Sequence, residues 1–164
     1  MSKTEKNLAE AFAGESQANR KYLAFAKKAD EEGLTQIARL FRAAAAAETV
    51  HAHTHLQNMG GVGSTDANLR EAMDGEVHEF TNMYPQMIED AKEEVNKAAQ
   101  MGFMYANAVE KIHADLYKKA LNAMADLAET SYFVCDVCGN TVEGEAPDKC
   151  PICGVSKDHF MKID

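Results

Sequence analysis

Apolar residues recur up to Met124 in alternating steps of three and four, the period of helices that bury one stripe. The first stripe runs Leu8, Phe12, Glu15, Asn19, Tyr22, Ala26, Ala29, opens on the capping-box pattern Ser2-Lys3-Thr4-Glu5 and stops at Gly33. The second starts near Thr35, runs Ile37, Phe41, Ala44, Glu48, His51, His55 and stops at Gly60-Gly61-Val62-Gly63. Ser64 or Thr65 caps the third, which runs Leu69, Met73, Glu76, Phe80, Met83, Met87 and carries Pro85, so a kink is expected near Tyr84-Pro85. After an unassigned stretch from Val95 to Gln100 comes the fourth: Phe103, Ala106, Glu110, His113, Tyr117, Ala120, Met124. Past Ser131 the helical pattern gives way to a tail with two prolines, several glycines and all four cysteines. The expected fold is mainly α: a four-helix bundle over residues 1–130 and a small β/loop metal-binding module over 131–164.

Each stripe carries an acid where an apolar residue is expected. Buried carboxylates are rare unless paired, and an unpaired one costs several kcal/mol or takes up a proton. Glu15 and Glu76 stand alone, whereas Glu48 and Glu110 each precede a histidine by three residues, His51 and His113. From Glu15 to Glu48 is 33 residues and from Glu76 to Glu110 is 34. One Glu from each of two helices plus Glu-x-x-His from each of the other two is the ligand set of a di-iron or di-manganese carboxylate bundle. Two divalent ions offset the four charges, and oxygen and imidazole donors suit iron or manganese. The competing reading is four unrelated surface glutamates, which the repeated spacing disfavours. Glu79 falls on the same face as Glu76 and adds a fifth carboxylate, pointing to a chemical role unless it is merely solvated. His55 reads as a core histidine and His53, His78 and His159 as surface residues. The methionines at 73, 83, 87, 101, 104 and 124 read as core filler.

Cys135-x-x-Cys138-Gly139 and Cys150-x-x-Cys153-Gly154 form a two-knuckle site for one tetrahedral ion. Iron and zinc both fit this spacing. A neighbouring redox site favours iron, since zinc carries no electrons, and so small a module needs its metal to fold.

Length and composition limit the rest. At 164 residues, 46% hydrophobic and 26% charged, the chain has material for one medium domain and an appendage. A net charge of −9 without a basic patch argues against nucleic acid. There is no apolar run of membrane-spanning length and no apolar leader, so a cytoplasmic protein is expected and the cysteines read as metal ligands rather than disulfides.

The combination of Glu15, Glu48-x-x-His51, Gly75-Glu76-x-x-Glu79, Met83-Tyr84-Pro85, Glu110-x-x-His113 and Cys-x-x-Cys-Gly…Cys-Pro-x-Cys-Gly resembles the rubrerythrins over essentially the full length. The resemblance implies a ferritin-like di-iron bundle with a rubredoxin-like module, reducing hydrogen peroxide to water in oxidative stress defence. Electrons would come from a rubredoxin or an NAD(P)H-dependent reductase through the cysteine-bound iron. It further implies that Glu48 and Glu110 bridge the irons and that Glu15, Glu76 and His113 are terminal ligands. Glu79 and His51 would exchange on one iron, and Tyr22 and Tyr84, otherwise simple core aromatics, would hydrogen-bond the carboxylates. A ferritin-like iron-handling protein and a non-catalytic electron carrier are the alternatives; neither the attached electron carrier nor Glu79 is needed for storage.

The link between the second and third helices bears on assembly. If the ligand repeat is two-fold, those helices run parallel. With each Glu ~11 residues from the link at 1.5 Å per residue, the gap to cross is then roughly 33 Å. About six linking residues reach only ~20 Å fully extended. This predicts a homodimer in which helices one and two of one copy complete the site with helices three and four of the other. A simple up-down-up-down bundle is the alternative.

Overall fold

The computed structural model describes residues 1–163. Helix α1 spans Lys3–Glu31 and α2 Thr35–Asn58, followed by α3 (Thr65–His78), a π-helical turn (Glu79–Met83), α4 (Tyr84–Glu93) and α5 (Lys97–Ala123). Three short strands follow, β1 (Tyr132–Cys135), β2 (Thr141–Glu143) and β3 (Phe160–Ile163), in an antiparallel sheet of order β2-β1-β3. This is the mainly α architecture with a small strand-bearing tail that the pattern predicts. Among the described residues no helix is long and apolar enough to cross a membrane.

The chain divides into two compact units, Met1–Gly63 and Ser64–Asp164. In the first, α1 opens on the full capping box, with Ser2 N–H donating to Glu5 and Glu5 N–H to Ser2 Oγ. It closes at Gly33, whose φ of 76° lets its N–H reach Asp30 and that of Leu34 reach Ala29. The two helices pack through small side chains: Ala26 and Ala29 on α1 and Ala38, Ala45 and Ala52, one heptad apart, on α2 are buried. Asn19 pins the pair by donating to Ala45 O at 2.7 Å and Thr49 Oγ1 at 2.9 Å.

In the second unit, α3, the π-turn and α4 make one distorted helix packed on α5. The distortion expected from Pro85 is a π-turn: the Tyr84 N–H bonds back five residues to Glu79 O, just before the proline, which has no N–H to give. The unassigned stretch resolves into a tight break at Glu94–Asn96, with Asn96 capping α5.

Two expectations need correction. The predicted stripes are only partly covered. On α2 the fully buried residues stand one position after Ile37, Ala44 and His51, and on α5 Val109 and Ala114 are buried whereas Glu110 and His113 are half-buried. Each helix has thus spent its tightest contact on its own unit, leaving the acid-bearing stripe beside it partly open. Nor are the methionines uniformly core filler: Met87, Met101, Met104 and Met124 are exposed and Met73 and Met83 half-buried.

Candidate metal centres

In the first unit Glu15, Glu48 and His51 bring one donor atom each to within 4.8 Å of one another. His51 Nδ1 lies 2.9 Å from Glu48 Oε2 and 3.8 Å from Glu15 Oε1. The hydrogen bond with His51 and then one with Glu15 hold the Glu48 carboxyl below its usual range. In the second unit Glu76, Glu110 and His113 repeat the arrangement, with His113 Nδ1 2.8 Å from Glu110 Oε2 and 3.7 Å from Glu76 Oε1. Corresponding distances agree to 0.1 Å, so the sequence repeat is a repeat of geometry. The environments differ: the His51 side chain is 54% exposed and that of His113 27%.

Glu76 shows what the second triad lacks without a cation. Burial first, then the charge of Glu110 and a hydrogen bond shared with it, push the Glu76 carboxyl up to about 7. A divalent ion among these groups removes the need for that proton. Glu79, on the π-turn, is raised by burial and by Glu110, as expected of a fifth carboxyl facing the same charge. Tyr84 feels Glu110, Glu79 and Glu76 after burial, and all raise its phenol; its ring packs on Phe103 at 6.2 Å. Tyr22 packs against Phe25 and Phe41 in the first unit and, among the described residues, makes no carboxylate hydrogen bond. His55 is half-buried and its Nδ1 has no partner, while His159 is an exposed residue bound to Asp136.

The four cysteines converge as predicted. The knuckles repeat each other: Gly139 N–H donates to Cys135 O and Gly154 N–H to Cys150 O, with φ of 80° and 82° at the two glycines. Cys135 and Cys153 sulfurs lie 3.7 Å apart, Cys138 and Cys150 3.6 Å. Four sulfurs at ~2.3 Å around a tetrahedral ion are about 3.8 Å apart, so the cage has the right size for iron or zinc. Burial raises the Cys138 thiol. At Cys150 burial is outweighed by the N–H groups of Cys153 and Ile152 and by neighbouring thiols, which bring it to about 7. Asn140, fully buried, sets its amide 3.8 Å from Cys150 Sγ.

Within the second unit the cysteine module lies against α5 beside the triad. Lys119 pairs with Glu143 at 2.6 Å and Thr141 Oγ1 meets His113 Nε2 at 2.8 Å. A cavity of about 390 Å³ opens there, lined by residues that include Glu76, His113, Tyr117, Tyr132 and Thr141. Sequence reasoning missed two of these. Tyr117 was legible only as an aromatic one turn after His113, yet its phenol is raised by burial and by Glu76 and Glu110. Thr141 gave no signal, because 28 residues separate it from the histidine it touches.

Comparison with known proteins gives the family. The rubrerythrin family model matches residues 6–121 and the rubrerythrin rubredoxin-like domain matches residues 133–161. Nigerythrin of Nitratidesulfovibrio vulgaris is 39% identical over 96% of this chain and 85% of its own length. Rubrerythrin-2 of Clostridium acetobutylicum is 38% identical over 94% and 93%. The solved structure of partially reduced nigerythrin is similar with a TM-score of 0.60 and 38% identity, covering 99% of this chain and 88% of that one. With a carboxylate–histidine di-iron donor set and a four-cysteine iron cage, the chain belongs to the rubrerythrin family.

Proposed function

We propose that the chain is a non-haem di-iron peroxidase that reduces hydrogen peroxide to two waters, taking two protons and two electrons per turnover. The observation that carries this reading is the docking of a four-thiolate cage beside a carboxylate–histidine triad in one compact unit, Ser64–Asp164. Iron storage needs no such attached electron carrier.

Glu15, Glu48, His51, Glu76, Glu110 and His113 are the proposed holders of the two irons, with Glu79 exchanging against His51, and Cys135, Cys138, Cys150 and Cys153 hold the third. Bound iron supplies the electrons for cleaving the O–O bond. The protein's part is placement and protons. Burial and the Glu110 charge favour a proton on the Glu79 carboxyl, so this side chain can hold one beside the site. Tyr84 keeps its phenolic proton for the same reason and is a standing hydrogen-bond donor. The functional division falls near residue 130, the bundle reacting with peroxide and the module passing electrons. The reductant is a rubredoxin or an NAD(P)H-dependent reductase in the cytoplasm.

Each triad supplies only half of a six-donor set, and a second copy of the chain completes it. Six residues, Met59 to Ser64, join α2 to α3. Large apolar side chains such as Leu23, Phe25 and Leu40 remain exposed, as do Met101 and Met104. A homodimer exchanging α1–α2 across this link accounts for both features. A monomer that binds two irons per chain at the carboxylate site contradicts it.

The activity is tested by anaerobic reconstitution with iron, reduction, and titration with hydrogen peroxide. The expected result is one peroxide consumed per two electrons, with turnover when a reductase is added. Oxidation by dioxygen with iron release and no peroxide turnover would place the protein with iron-handling ferritin-like chains instead.

A further inference from the structure

The two matched histidines differ at their far nitrogens. Among the described residues His51 makes no hydrogen bond through Nε2, whereas His113 Nε2 lies 2.8 Å from Thr141 Oγ1. The direction of that bond follows from a third contact. Thr141 Oγ1 donates to the Gly139 carbonyl at 3.1 Å, and a hydroxyl has one proton to give. With that proton given to Gly139, the oxygen accepts from His113, and Nε2 carries the proton. Nδ1, hydrogen-bonded to Glu110 at 2.8 Å and 3.7 Å from Glu76, is then the ring nitrogen left to a metal ion once the proton it shares with Glu110 is displaced. Gly139 is itself held, its N–H donating to Cys135 O, so the acceptor is anchored in the first cysteine knuckle.

We propose that Thr141 is the positioning residue for His113: its hydroxyl fixes the Nδ1-to-metal tautomer and locks this histidine on the carboxylate site, while His51, with no such anchor, stays movable. The proposal rests on the di-iron reading above and deepens it. It explains why Glu79 exchanges with His51 and not with His113, although Glu79 and His113 lie in the same unit. Outer partners of ligating histidines hold ring orientation and tautomer in this way, and losing one weakens metal binding about 10–100-fold.

The test compares Thr141→Val with Thr141→Ser in the full-length protein, with the cysteine site loaded and the carboxylate site empty. Anaerobic titration with ferrous iron reads the affinity at the carboxylate site, without peroxide. The expected result is about 10–100-fold weaker binding of one of the two ions in Thr141→Val, near wild-type binding in Thr141→Ser, and an unchanged visible spectrum of the cysteine-bound iron. Wild-type affinity in Thr141→Val, or equal losses in both variants, overturns the assignment. Should Thr141→Val not fold, Thr141→Ala replaces it, and failure of both apolar variants marks the residue as structural and also overturns the proposal. Peroxide turnover of the wild type is measured separately, so failure of the peroxidase reading does not disguise itself as failure of this one.

Discussion

Glu76 and Glu110 bring carboxyl oxygens within 4.8 Å of each other, a crowding that a proton or a cation between them relieves. In the metal-free protein Glu76 rises from 4.5 to about 7. The folded state therefore binds this proton more tightly than the unfolded chain does. Its contribution to stability is fully present below 4.5 and fades as pH climbs through 7. Thermal unfolding of the metal-free protein should show the melting temperature falling across that window. With divalent metal bound the fall should vanish. A metal-free curve that rises from pH 4.5 to 7 would contradict the crowding of this pair.

Glu79 separates turnover from metal binding. Replacing it by Gln keeps size and hydrogen bonding but removes the titratable group. Glu79→Gln should bind both carboxylate-site irons and unfold like the wild type, while peroxide turnover drops about 10²–10⁴-fold, the range for a lost proton-transfer group. Iron content and steady-state peroxide consumption decide it. Unchanged turnover would return Glu79 to the solvated surface reading.

Val95 offers a check on the fold that does not touch the sites. It sits just past α4 with φ of 58°, its N–H bonded to Lys92 and that of Asn96 to Ala91, the place in a helix end where glycine is usual. A β-branched residue is strained there, and its side chain is 75% exposed, so no packing repays it. Val95→Gly should raise stability by about 1 kcal/mol with activity unchanged, as read by denaturant unfolding.

How much of this was legible in the sequence follows from the range of each signal. The four helices were readable because periodicity and caps are local: Ser2, Gly33 and Ser64 each act within a few residues, and the structure uses all three. The triads and the cysteine cage were readable because buried acids and paired Cys-x-x-Cys spacings have few other uses. What distorts the third helix was half legible. Pro85 announced a defect, but that it takes the form of a π-turn carrying Glu79 depends on how the helix packs on α5. The stripes on α2 and α5 are partly open, which the pattern could not show, because periodicity marks which face is apolar and not what covers it. Thr141 was out of reach, since no pattern links a strand of the tail to a helix 28 residues earlier.

The central claim is that the carboxylate site and the cysteine cage work as one peroxide-reducing unit. Rapid mixing of the fully reduced, iron-loaded protein with hydrogen peroxide tests it most directly. Both centres should oxidise quickly, with the red colour of ferric four-thiolate iron appearing in step with peroxide loss. Slow reoxidation of the cysteine-bound iron alone would contradict the account.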